Sequence, residues 1–357
     1  MLQVVLCARR LPAGRRTRAF LAGPMSIGIH ATTMRSHLAT WFKRRAILVV
    51  LALFAISLAA LAQSSARAGQ QTENGQPSLD ANLHPYIEES PKQLAKRIPE
   101  LKGIKPAADQ QDLARILQKT GKSVDEFFDN AVDLVADEEI KQERSLGLGF
   151  GGAAKPVRAN YLILRHGNGA TADFDEFRTD DKGNRLEASD LQRGFLVTAG
   201  FALICAHFST GFQSESQFRY LGEEKVNGRE AYVVGFAQVP GKATFTVKME
   251  ERGVLLAEML LQGIAWVDTQ SYHILRIRTD MLAQRPKTEL DAQTTKVDFS
   301  EVHLQDVAAP LWLPRDVKVY VKLGPSRGRY FEEAFQNEHR YTNYRRYRVS
   351  TKMVTPQ

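Results

Sequence analysis

IAWVDTQSYHILRIRTDM, residues 264–281, decides the fold class. Two apolar-rich runs flank the polar stretch from Asp268 to Tyr272, so the segment reads as a hairpin. In its second run Leu275, Ile277, Thr279 and Met281 alternate with Arg276, Arg278 and Asp280. A period of two turns one set toward a core and the other toward water.

The same reading extends outward in both directions. FRYLGEEKVNGREAYVVGF, residues 218–236, places Asn227-Gly228 between two apolar runs, which suits a tight type I′ turn. Lys296 to Leu304 and Leu313 to Leu323 form a third pair, with Val317, Val319 and Val321 inward against Lys318, Tyr320 and Lys322. Pro310 and Pro314 bracket Trp312 and place that end at a strand start or sheet edge. A last strand alternates near Tyr341 to Val349, and Asn160 to Arg165 is a short apolar run. No helical crossover of useful length separates these strands, so consecutive hairpins imply an antiparallel meander. Residues 194–208 fit a helix or a strand, and the chain shows no internal repeat.

Toward the N-terminus the pattern changes. From Pro91 to Arg144 the apolar spacing is helical. Asp109 is placed to cap one helix, with Gly121 as its stop, and Ser123 with Glu126 forms a capping box for the next. Val124, Phe127, Phe128, Ala131, Val132 and Val135 then make a wide apolar stripe, so this helix packs on something. Residues 70–145 are acidic, with fifteen Asp or Glu against ten Lys or Arg. The glycine-rich run from Gly147 to Gly152 reads as a break between the two patterns.

The first sixty residues have a different character. Lys43-Arg44-Arg45, an apolar run from Ala46 to Leu61 and Ala60-Leu61-Ala62 form a secretory signal peptide with cleavage expected after Ala62. The run is short for a membrane span of ~20 residues, and an uncleaved anchor is the alternative. Residues 1–33 resemble neither a fold nor an ordinary start, which makes Met34 a second candidate initiator. The 357-residue chain has a formal charge of +8, yet residues 1–62 carry nine Lys or Arg and no acid. The remainder holds 39 basic and 40 acidic residues, which excludes a global pull toward nucleic acid. Cys205 is the only cysteine outside the leader, so neither an intramolecular disulfide nor a cysteine metal site is expected.

Catalytic chemistry finds little support. Arg165-His166-Gly167 after a short apolar strand looks like the phosphate-binding triplet of histidine phosphatases. That chemistry also needs a second His, a carboxylic acid and an alternating α/β scaffold, and a meander follows instead. His273, His303 and His339 are too scattered for metal ligation. No catalytic residue, metal or cofactor is assigned. The closing run RYTNYRRYR, residues 340–348, mixes Arg with Tyr. It reads as an edge strand blunted by charge, or as a surface on which Arg340, Arg345, Arg346 and Arg348 meet anionic lipid or an envelope protein.

Phe218 to Glu223, Gly263 to Asp268, Leu311 to Pro314 and His339 to Tyr344 resemble, in that order, a set of uncharacterised bacterial secreted proteins. The Gly263 to Asp268 hairpin and its long antiparallel partners are also similar to the outer-membrane lipoprotein-carrier superfamily (LolA/LolB-like). That second resemblance implies a half-closed antiparallel barrel, covered by helices, around a cavity for acyl chains. It implies that Phe236, Trp266, Leu275, Ile277 and Val319 line an incompletely filled concave face.

The expected protein is therefore α+β. A leader (1–62) and flexible linker (63–90) precede a helical unit (91–146), a curved antiparallel β domain (158–349) and a tail (350–357). It is expected in the periplasm or outside the cell after cleavage. Three functions remain open: a binding or carrier module for a lipid, lipoprotein or other apolar ligand; an envelope interaction protein without a ligand; and, last, a phosphatase.

Overall fold

A computed structural model describes residues 2–8 and 85–347, apart from short stretches at 148–149, 167–172, 187–190, 192–196, 252–253, 286–288, 306, 308 and 326–330. Most of the leader, the linker to residue 84, Gly167, Arg348 and the tail lie outside the described residues. No described helix is long and apolar enough to cross a membrane.

Hairpin after hairpin forms, as the alternation dictates. The strands are β1 (Leu2–Ala8), β2 (Lys105–Pro106), β3 (Leu134–Leu146), β4 (Phe150–Ala153), β5 (Val157–His166), β6 (Asp173–Thr179), β7 (Val197–Ala199) and β8 (Ser216–Val226). They continue as β9 (Arg229–Gln238), β10 (Phe245–Glu251), β11 (Val254–Asp268), β12 (Ile274–Arg285), β13 (Leu290–Val302), β14 (Leu311–Leu323) and β15 (Glu333–Arg346). All belong to one sheet, whose main order is β2-β8-β9-β11-β12-β13-β14-β15-β3-β5-β6. β2 and β6 do not pair with each other, so the sheet is open. Every pairing is antiparallel except β1 with β7. The β8–β9 turn has Asn227 at φ 50° and Gly228 at φ 84°, the two left-handed residues a type I′ turn requires.

β1 falls in the segment that the sequence assigns to the leader. Its seven residues run antiparallel to Phe245–Glu251 of β10, and Gln3 to Val5 run parallel to Val197–Ala199 of β7.

Among the described residues there are two α-helices, α1 (Pro91–Arg97) and α2 (Leu113–Asn130). Ser90 opens α1 with a capping box: Gln93 N donates to Ser90 Oγ, and Ser90 N donates to Gln93 Oε1. Within 91–146, where a helical unit was expected, α-helix is confined to Pro91–Arg97 and Leu113–Asn130. Residues 134–146 form β3, a long strand between β15 and β5. The β domain accordingly begins at Leu134 rather than 158. The reason is visible in β3 itself, where Glu138 and Gln142 are buried beside Leu134, Ala136 and Ile140. Polar residues on the inward positions erase the period of two.

Inside α2 the two expected punctuation marks have other roles. Gly121 does not stop the helix. A Cβ there would lie 2.5 Å from Gln213 Nε2 and 3.1 Å from the Phe208 carbonyl, so glycine lets a second segment approach closely. Ser123 is not a cap; its hydroxyl lies 2.6 Å from His273 Nδ1 and ties the helix to the β11–β12 turn.

The core is divided by the sheet. A large apolar cluster draws on α2 and on strands from β3 through β15, so the sheet curls around it. We call this side the inner face. A smaller cluster lies on the outer face of β8, β9, β11 and β12, beneath Tyr86, α1 and the 3₁₀ turn Pro99–Leu101.

Candidate functional site

Of the five residues expected on one concave face, the structure brings three together. Phe236, Ile277 and Val319 are fully buried in the inner cluster. Trp266 and Leu275 are buried on the outer face with Leu94, Ile98 and Leu101. Trp266 alternates with Ala265 and Val267, which face inward, and for Leu275 the cause is a β-bulge. Trp266 pairs with Arg276 and Val267 with Ile274, leaving Leu275 as an extra residue. Leu275 is thereby turned to the same side as Arg276, whose guanidinium lies 5.7 Å from the Trp266 ring centroid. Trp266 Nε1 donates to Glu224 Oε2 at 2.9 Å.

The inner face was expected to be incompletely filled, and the structure fills it with a piece of the chain. Residues 197–215 run over it as β7, the 3₁₀ turn Ile204–Phe208 and the 3₁₀ turn Gln213–Glu215. Phe201, Ile204, Cys205 and Phe208 are buried in the cluster. The His207 ring sits 4.9 Å from both the Phe236 and Phe245 rings, and burial pushes its pKa down to about 3, so it is neutral. Burial also pushes the Cys205 thiol up to about 12. Between this segment and the strands remains a cavity of about 10 Å³, lined by Thr198, Phe201, Ile204, Val247, Gln293 and Val319 among others. One water needs roughly 10–15 Å³ measured this way, whereas a ligand pocket holds ~300–1,000 Å³.

What holds the segment down is polar. Glu176 Oε2 accepts from the Gly200 and Phe201 amides at 2.8 and 3.0 Å, and Oε1 from Ala202 at 3.1 Å. Asp125 of α2 accepts from the Ser209 hydroxyl at 2.6 Å and from both the amide and hydroxyl of Thr210. Gln213 Nε2 donates to the carbonyls of Leu117 and Phe208 at 2.9 and 2.8 Å. Thr198 Oγ1 lies 2.8 Å from His339 Nε2 and accepts from Asn337 Nδ2 at 3.3 Å.

His339 leads into a buried charge network. Glu138 accepts from Arg178 Nε at 2.5 Å and Nη2 at 2.7 Å, from His339 Nδ1 at 2.8 Å and from the Tyr341 hydroxyl at 2.8 Å. A carboxylate only accepts, so His339 carries its proton on Nδ1, and its Nε2 accepts a hydrogen bond from the Thr198 hydroxyl. Burial lowers the His339 pKa, and the ring is neutral. Burial would raise the Glu138 carboxyl, but the Arg178 charge and the hydrogen bonds outweigh it and hold the pKa at about 2. Glu176 goes the other way: burial outweighs its three amide donors and pushes it up to about 7.

Reading the sequence missed Glu138, Glu176, Arg178 and Thr198. Alternation offered one signal: in Phe174-Asp-Glu-Phe-Arg178, Phe174, Glu176 and Arg178 share one face of β6. His339, which looked isolated in the sequence, is central here.

The remaining candidates assemble no reaction centre. Arg165 donates to the carbonyls of Asp129 and Ala131 at 3.0 and 3.2 Å and closes the C-terminus of α2. His166 is exposed and lies 2.9 Å from Asp175. Among the described residues, no group of three His, Cys, Asp or Glu stands close enough to hold a metal. Arg345 pairs with Asp137 of β3 at 2.7 Å, Arg346 is exposed, and Arg340 lines an open polar groove of about 620 Å³ with Asp137, Glu139, Arg158 and Asp181.

No family model matches the chain, and no curated protein matches it. Solved structures do. A candidate outer-membrane lipoprotein-sorting protein domain from Vibrio parahaemolyticus is 13% identical, with 67% of this chain and 93% of that one covered at a TM-score of 0.31. A DUF1329 family protein from Desulfovibrio piger is 13% identical, with 67% and 94% covered at 0.33. A LolA superfamily protein from Nitrosomonas europaea is 11% identical, with 64% and 94% covered at 0.27. These three are LolA-superfamily, lipoprotein-sorting and DUF1329 domains, at low identity and low TM-score.

Proposed function

We propose that the chain is an envelope binding or carrier module for a lipid, a lipoprotein or another apolar ligand, periplasmic or secreted after cleavage of its leader. The structure is then its closed form, with residues 197–215 in the place of the ligand. One observation carries this reading. The apolar inner face is covered by an irregular segment whose backbone is tethered by Glu176, Asp125 and Gln213. Such a cover is separable from the sheet in a way that a core strand is not. Binding would bury acyl chains against Phe236, Ile277 and Val319, with no bond made or broken. The 10 Å³ cavity favours a second reading, an interaction protein with a permanently filled core.

Mass spectrometry of an organic extract of the purified protein, with titration of a fluorescent fatty acid, separates the two. Replacing Phe201, Ile204 and Phe208 by Ala weakens the competitor and should tighten probe binding at least tenfold. Absence of both extracted lipid and probe binding, in wild type and variant alike, would leave the filled-core protein.

A further inference from the structure

The strand pairings around β1 lead to an interaction surface, one wall of which, β7, is also part of the inner cover. β1 occupies a gap between two strands, β10 on one side and β7 on the other. The sequence assigns β1 to a segment removed with the signal peptide. Its departure takes away the partners of the gap-facing backbone donors and acceptors of Thr246–Glu251 and of Val197–Ala199.

The gap does not close by itself. For β7 to pair with β10 directly, it must move one strand spacing, roughly 4.8 Å. Three contacts on its far side resist that: Thr198 is hydrogen-bonded to the buried His339 at 2.8 Å, Asn337 donates to Thr198 at 3.3 Å, and Glu176 grips the amides of Gly200 to Ala202. The polar network thus fixes one wall of the gap, and pairing with β11 fixes the other.

We infer that, in the chain cleaved after Ala62, the gap between β10 and β7 is an acceptor slot for an extended, seven-residue segment of another exported polypeptide. Two parallel rows of amide and carbonyl groups, one on each side, select a peptide backbone over a lipid chain. Directly paired residues share a face, so guest positions opposite Phe245, Val247 and Met249 meet the inner apolar cluster. The guest therefore carries apolar residues at alternate positions and no proline in its middle. The chain's own residues 2–8, LQVVLCA, seat in this register and supply the probe.

Two experiments test the slot. In the uncleaved full-length chain, Thr246→Cys places a thiol at the position paired with Cys7. Oxidation should link the two, and failure to link them would overturn the register on which the slot rests. In the processed protein taken from the cell envelope, hydrogen exchange is measured with and without the synthetic peptide of residues 2–8 carrying Cys7→Ser. The peptide should slow those amides of 245–251 and 197–199 that face the gap at least tenfold, and the peptide with Val5→Pro should not. The proposal falls if those amides are already protected without peptide, if the peptide leaves them unchanged, or if N-terminal sequencing finds residues 2–8 retained.

Discussion

On the outer face, the sheet is covered by Tyr86, α1 and the turn after it. Leu94, Ile98 and Leu101 lie directly on Trp266, Ile264 and Val233, all fully buried. On the inner face, Phe201, Ile204 and Phe208 are buried nearly as deeply, but the segment that carries them is positioned by carboxylates, an amide and a neutral imidazole. The outer cover depends on area removed from water, at ~1.5–3 kcal/mol for each large apolar side chain. The inner cover adds groups whose charge changes with pH. Two covers of similar burial should therefore answer different perturbations near neutral pH: the outer one to loss of packing, since its Glu100, paired with Arg278 and Lys296, is held below the usual carboxylate range, and the inner one also to protonation.

The comparison breaks most sharply at Arg178. Removing it as Arg178→Ala leaves Glu138 buried and uncompensated, and such losses reach ~5 kcal/mol. Equilibrium denaturation should show the loss, with the Thr198–His339 tether failing alongside it. A loss below about 1 kcal/mol would mean that water replaces the guanidinium and that the inner network is not a strut.

On the other face Trp266→Ala should cost ~3–4 kcal/mol of global stability. Phe208→Ala removes a ring as deeply buried, yet if the inner cover opens as a local unit, much of its cost appears as faster exchange of residues 197–213. Equal global losses at Trp266 and Phe208 would show that both covers melt together.

Protonation sharpens the contrast next. Burial raises Glu176 in the folded chain to about 7 from an ordinary value of 4.5. A raised folded pKa stabilises fully below about 4.5, and that contribution is lost as pH rises through 7. The span amounts to on the order of 3 kcal/mol. Amide exchange at Gly200–Ala202, corrected for intrinsic rates, should accelerate between pH 5 and 8, and Glu176→Gln should flatten the profile. Glu138 has the opposite sign: its stabilisation is present above 4.5 and lost as pH falls through about 2. Amides of α1 should show neither dependence.

The smallest effect belongs to the outer cover alone. Ser90→Ala removes the N-cap of α1 and should cost ~1 kcal/mol. It should leave exchange at 197–213 unchanged.

How much of this was legible depends on where polarity sits. The β8–β9 and β11–β12 hairpins were readable because their turns carry Asn227-Gly228 and Asp268 to Tyr272 between alternating runs. β3 was not, because Glu138 and Gln142 occupy inward positions. Alternation located Phe236, Ile277 and Val319, but no sequence period reports a bulge, so Leu275 was assigned to the wrong face. The cover of the inner face was also illegible. Residues 197–215 have no sustained period, and their placement comes from side chains far away in sequence.

β3 and β15 lie side by side in the middle of the sheet, although Leu134 pairs with Arg346 at the far end of the chain. A ribosome adding ~5–20 residues per second therefore needs roughly 10–40 s between releasing one strand and its neighbour. Until then the growing polypeptide lacks the pairing that joins its first and last thirds. Long-range pairing of this kind folds slowly. The hairpins from β8 to β14 can pair as they emerge, but the join between β3 and β15 waits for the last of these strands.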